Sequence, residues 1–220
     1  MKPRTHGEPQ RRGRSLQGWV EPDGVETAYE VRSRDSALAP EEFARLPRRP
    51  VHIVLDNLRS AFNVGSIFRL ADAARAAEVI TCGYTAHPPH HKLEQTSLGT
   101  DRSVPSRHYN ETAEAVRALK AEGVQVLGVE TAEGAVPYHR FDYRLPVALV
   151  LGNEALGLSP ALLAECDGVI EIPVAGFKNS VNVAAACGIV LFDLLHRSAA
   201  LDPDDRDPAT PPAGCAESGT

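Results

Sequence analysis

Cysteine, methionine, tryptophan and aromatics in general are scarce in this chain of 220 residues: four Cys, one Met, one Trp and 5% aromatic residues in all. Cys82, Cys166, Cys187 and Cys215 form no CxxC pair and no Cys/His spacing of the kind that holds zinc. A disulfide framework in a chain of this length would need more of them, so the expectation is reduced thiols in a cytoplasm. No apolar run of about 18 residues occurs, which excludes a transmembrane helix. The opening MKPRTHGEPQRRGRS is basic, but no apolar segment follows it, so it does not read as a secretory signal. Neither a G-x-G-x-x-G nor a GKS/GKT run is present, and dinucleotide-fold and P-loop readings fail with them.

What is present is a globular composition, 43% hydrophobic and 24% charged, with a net charge of −6. A chain of this size buries roughly 70% of its unfolded surface, enough for one core. The charge is unevenly spread: net +2 over residues 1–50, −4 over 51–197 and −4 over 198–220. Residues 1–20 carry five cations and one anion, with Arg11, Arg12 and Arg14 close together. Such an arm is either a solubilising tail or a phosphate-binding one. The expected organisation is an N-terminal extension over 1–49, one domain over 50–197, and an acidic, Pro-rich tail over 198–220. That tail has too little apolar surface to fold.

Within 50–197 the elements alternate. Apolar, β-branched runs predict strands at 51–56, 78–84, 124–130, 147–152 and 169–173. Helical spacing predicts helices at 64–77, 111–123, 159–167 and 180–197, with a further short one at 40–46. Ser159-Pro160 reads as cap and first helical residue. Residues 87–105, HPPHHKLEQTSLGTDRSVP, read as loop. The resulting fold class is α/β, a mostly parallel sheet with helices on both faces. In such sheets ligands lie outside the carboxyl ends of the strands, so the residues after each strand matter most.

Three post-strand segments carry chemistry. In DNLRSAFNVGSIFR, Asn63 is either a helix cap or a site residue, and Arg69 either an ordinary helix arginine or one beside the crevice. In LVLGNEALGLSP, Gly152 and Gly157 flank Asn-Glu, a turn whose amides can face a ligand or a plain connection. In IPVAGFKNSVNVAAA, Ser180 could cap the last helix, while Asn182 is an internal clasp or a ligand contact, because a buried amide needs partners. His87, His90 and His91 have no carboxylate or cysteine set around them, and no metal is expected there.

NVGSIFRLADA, LVLGNEALGL and IPVAGFKNSVNVAAACGI, each after a strand and in this order, resemble the three signature motifs of the SpoU/TrmH-type RNA ribose 2′-O-methyltransferases of the SPOUT superfamily. The resemblance covers about residues 50–197. It implies an α/β domain whose C-terminal part forms a deep trefoil knot, a homodimer, and S-adenosylmethionine held by loop backbone. It further implies methyl transfer to a ribose 2′-hydroxyl of tRNA or rRNA. Carried over by motif position, Asn63, Arg69, Glu154, Ser180 and Asn182 are the active-site residues, and Gly152, Ile172, Val181 and Thr131 line the cofactor. Glu94, Thr96, Ser97, Leu98 and Gly99 resemble a loop near the target nucleotide. Arg69 is expected to bind substrate phosphate and stabilise developing alkoxide charge, since a guanidinium is too basic to act as a base. Asn63 is expected to orient Arg69 or the ribose, and Glu154 to fix Arg69 or Asn182.

Overall fold

The computed structural model describes residues 39–198. Residues 39–46, with the short helix α1 (Pro40–Ala44), belong to one unit, and the sheet domain begins at Pro47 in another. The basic arm, the acidic tail and Cys215 lie outside the described residues.

The domain is built on seven strands: β1 (Arg49–Asp56), β2 (Ala76–Cys82), β3 (Ser106–Tyr109), β4 (Gln125–Val129), β5 (Val136–Pro137), β6 (Val147–Leu151) and β7 (Gly168–Glu171). They form one sheet in the order β3-β2-β1-β6-β4-β7-β5, and every pair is parallel. Parallel strands are covered on both faces, which explains the unbroken apolar runs. Alternate residues point to opposite layers. Ile53, Leu55, Leu149 and Leu151 join one core cluster with α2 (Ala61–Ala73) and α7 (Val183–Arg197). Val54, Ala148 and Val150 join the other with α5 (Thr112–Ala121) and α6 (Pro160–Glu165). The α/β class with helices on both faces is as expected.

Several boundaries differ from the sequence reading, each for a local reason. Helix α2 starts at Ala61, not Val64, because Ser60 is its cap: its side chain accepts from the Asn63 amide at 3.3 Å. Asn63 is thus inside the first turn. The helix ends early because Arg75 adopts φ 48°, turning the chain so that Ala76 already belongs to β2. Helix α7 begins at Val183, capped by Asn182, whose Oδ1 accepts from the amides of Ala184 at 2.9 Å and Ala185 at 3.3 Å. Ser180 is not the cap of α7. Ser159 does cap α6, accepting from the Leu162 amide at 3.2 Å.

Residues 87–105 are not a loop throughout. They hold α3 (His91–Ser97) and α4 (Thr100–Ser103), separated by left-handed Leu98 and Gly99. The four-residue β3 then follows, paired with β2. These helices escape a periodicity search because each is one or two turns long, with Leu93 the one large apolar side chain buried in α3. Helix α3 packs on α2 where Gly65 leaves room: a Cβ there would stand 2.6 Å from Cβ of Thr96. No helix among the described residues is long and apolar enough to cross a membrane.

Candidate active site

Strand β1 feeds α2 on one face of the sheet, while its neighbour β6 feeds α6 on the other. The connections therefore diverge between β1 and β6, and a crevice opens outside their carboxyl ends. Gly152 closes β6. A Cβ on it would lie 2.5 Å from the Gly157 carbonyl carbon, so only glycine lets the loop fold back so tightly. Asn153 locks that loop. Its Oδ1 accepts from the amides of Ala155 (2.9 Å) and Leu156 (3.0 Å), and its Nδ2 donates to the Asn57 carbonyl (2.7 Å) and the Tyr84 hydroxyl (2.6 Å).

The next residue, Glu154, ties the β6 loop to the β1 loop. Its Oε2 accepts from the Arg59 amide at 2.8 Å, and its Oε1 from the Ser60 amide at 3.1 Å and from Asn63 Nδ2 at 2.9 Å. Asn63 Oδ1 in turn accepts from Asn182 Nδ2 at 3.1 Å. Because Asn182 Oδ1 is committed to the α7 amides, its NH2 must donate, and the polarity of the whole chain from α7 to Glu154 is fixed. Burial works to raise the Glu154 carboxyl, but hydrogen bonds from the Arg59 amide, Asn63 and Ser60 outweigh it and hold the group below the usual carboxylate range.

The crevice, about 530 Å³, is lined by Thr131, Gly152, Glu154, Ser180, Val181 and Asn182 among others. Glu130, which the sequence reading did not single out, holds two of its walls: Oε1 accepts from the Thr131 amide (3.0 Å) and Oε2 from the Leu158 amide (2.8 Å). Asn153, beside Glu154, likewise has a role that local pattern does not show. The only local signal for either is a polar residue closing an apolar strand.

Two expected residues lie elsewhere. Ile172 is half-buried against the core and does not line the crevice. Arg69 is exposed and, among the described residues, has no hydrogen-bond or ion-pair partner. Six residues along a helix turn it about 120° away from Asn63. Asn63 and Glu154 thus hold each other rather than Arg69. Of the loop resembling a target-nucleotide segment, Ser97 is buried and donates to Asp101, while Leu98 is 64% exposed. His87 Nδ1 pairs with Thr81 Oγ1 at 3.0 Å, its ring lies against His108, and no metal-holding group of three His, Cys, Asp or Glu exists among the described residues. Burial pushes the thiols of Cys187 up to about 12 and Cys166 up to about 11, so neither is a nucleophile near neutrality.

Residues 50–192 match the family model described as the SpoU rRNA Methylase family. The chain belongs to this family. A tRNA (guanosine(18)-2′-O)-methyltransferase from Thermus thermophilus is 32% identical over 153 residues, covering 70% of this chain and 78% of that protein. A putative TrmH family tRNA/rRNA methyltransferase from Staphylococcus saprophyticus is 29% identical over 145 residues, and the chain spans 58% of its length. The crystal structure of an AdoMet-bound rRNA methyltransferase from Sinorhizobium meliloti is similar with a TM-score of 0.64 and 34% identity, covering 70% of this chain and 60% of that one. All three family motifs in this member end on the crevice or on the hydrogen-bonded chain beside it.

Proposed function

We propose that the protein transfers a methyl group from S-adenosylmethionine to a ribose 2′-hydroxyl of tRNA or rRNA. The observation that carries this is the crevice between β1 and β6, where the three motif loops meet through Glu154, Asn63 and Asn182. Its walls suit the cofactor. Among the described residues they include the carboxylates of Glu130 and Glu154 and no Lys, Arg or His, so they favour a cationic sulfonium over an anion. The volume falls within the range of small-molecule sites. Val181, 42% exposed, and the fully projecting Leu156 add apolar surface, and Thr131 and Ser180 add hydroxyls.

S-adenosylmethionine, when bound, supplies an electrophilic methyl for in-line displacement. The chain's own task is to hold the ribose oxygen on the methyl axis. Glu154 and Asn63 keep the β1 and β6 loops at fixed spacing for that purpose. Glu154 is a poor base, because its oxygens are already committed to three donors. Arg69, exposed on α2 outside the crevice, binds substrate phosphate there, and the hydroxyl proton leaves to solvent. The C-terminal trefoil knot belongs to this reading, supported by the family and by the way residues 152–158 and 179–183 close on one crevice.

The same reading includes a homodimer and a cytoplasmic location. Support for the dimer comes from α7, whose Ala185, Ile189, Phe192 and His196 form an exposed stripe at helical spacing. Support for the location comes from the free thiols of Cys82, Cys166 and Cys187. The test is transfer of labelled methyl from S-adenosylmethionine to separated tRNA and rRNA, followed by nucleoside mass spectrometry. A 2′-O-methylnucleoside is expected; a base-methylated product or no cofactor binding in calorimetry overturns the proposal.

A further inference from the structure

A second cavity, about 490 Å³, lies between the start of α2 and the segment 83–92. It shares a wall with the crevice. Glu154 of the crevice bonds the amides of Arg59 and Ser60, which line the cavity, and Asn153 bonds the hydroxyl of Tyr84, which lines it too. The charge on the two sides is opposite. Among the described residues the cavity wall carries Arg59, His87, His90 and Lys92 and no carboxylate. This occurs in a stretch, 51–197, that is net −4 as a whole. Among the described residues the side chains of Arg59 and Lys92 have no ion-pair partner.

The cavity also exposes two aromatic rings, Tyr84 at 62% and Phe62 at 58%. Tyr84 is not a loose surface side chain. Its hydroxyl is held by Asn153 Nδ2 at 2.6 Å, and its amide donates to Asn57 Oδ1 at 3.3 Å. A solvent-facing ring already fixed at both ends loses little freedom when a flat group stacks on it. Aromatic faces beside cations are the general means of holding unstacked nucleotides.

We propose that this cavity is a nucleotide subsite that takes one unstacked RNA nucleotide, its base on Tyr84 and its phosphate on Arg59 and Lys92. The inference rests on the methyltransferase reading for its purpose, since a nucleotide seated there presents its ribose toward the shared wall. Its geometry stands independently of the cofactor.

The test uses the full chain and a fluorescently labelled, mixed-sequence, single-stranded 12-nucleotide RNA, with binding followed by anisotropy at several salt concentrations. Tyr84→Ala is expected to weaken binding about 5- to 100-fold, the usual range for one stacked base. Tyr84→Phe should stay within about threefold of wild type, because the ring remains. Lys92→Ala should reduce the slope of log affinity against log salt by ~0.7, one phosphate on a single strand. Calorimetric affinity for S-adenosylmethionine should be unchanged in Lys92→Ala and equal in Tyr84→Ala and Tyr84→Phe, which both lose the bond to Asn153. Wild-type binding by Tyr84→Ala and Lys92→Ala, with cofactor affinity intact, overturns the subsite and leaves the methyltransferase reading standing. A wild-type chain that ignores the probe, or a Tyr84→Ala effect confined to oligomeric state in light scattering, overturns it as well. Failure of the wild type to bind S-adenosylmethionine, with the Tyr84 and Lys92 effects present, overturns the catalytic reading instead.

Discussion

Glu154 accepts three hydrogen bonds from the one segment 59–63, and its carboxyl is held below the ordinary range. A group whose folded pKa is depressed lends stability above its unfolded pKa and loses it as pH falls through the folded one. The clasp is therefore fully formed at neutral pH. It releases only below the normal glutamate range, while Glu154→Gln, with a weaker acceptor, removes that acid step. Acid titration followed by the chemical shift of the Asn63 side-chain amide checks this; an unchanged profile in the variant refutes it. Arg69 makes the complementary case. Arg69→Ala should abolish methyl transfer by removing a contact to substrate phosphate, and because the side chain stands outside the crevice, S-adenosylmethionine affinity should change by no more than a few-fold. Loss of cofactor binding in calorimetry would assign it a different role.

Among the elements, the α2–α3 contact and the β1–β2–β3 ladder are the most sensitive. Gly65→Val puts atoms where Cβ of Thr96 and the Ser97 amide already stand. Overpacking of this kind costs about 1–3 kcal/mol. The expected sign is a lower urea midpoint at constant m-value. On the ladder, Glu78 is nearly buried and takes Arg107 through Nε (2.8 Å) and a terminal nitrogen (2.6 Å), with His52 Nδ1 at 2.8 Å. Burial works to raise Glu78, but the bonds from His52 and Arg107 prevail and its carboxyl is lowered. Arg107→Ala leaves it with His52 alone, costing about 1–2 kcal/mol, since the arginine is itself partly exposed to water. The loss should be largest near neutral pH and shrink on acidification as Glu78 protonates, which denaturation at pH 7 and pH 4 measures.

At the scale of the molecule, a second copy is expected on the α7 stripe. Phe192→Glu places a charge on that face and should convert a species of twice the chain mass into one of the chain mass in light scattering. A wild-type chain that is monomeric at micromolar concentration removes the dimer from the reading. The basic arm lies outside the described residues, and its contribution is measurable all the same. Deleting residues 1–15 should weaken RNA binding and flatten its salt dependence without moving the methylated position, because phosphate contacts carry little sequence information. Identical slopes for the two chains would exclude the arm.

What could be read along the chain was what neighbouring residues decide. Apolar runs at β1 and β6 mark strands buried on both faces. Ser159-Pro160 marks a helix start. The glycines around Asn153-Glu154 mark a tight post-strand turn. The three motif segments were legible for the same reason. Their meeting was not, because Asn63 lies 91 residues from Glu154 and 119 from Asn182. Only the strand order, which sets β6 against β1, makes them neighbours. Nor could local pattern set the phase of α2: with Ser60 as cap, Asn63 turns inward to the clasp and Arg69 turns out. The partition of charge between an acidic crevice and a basic cavity was hidden for the same reason. A sum over a segment mixes residues that the sheet sends to opposite sides of one wall.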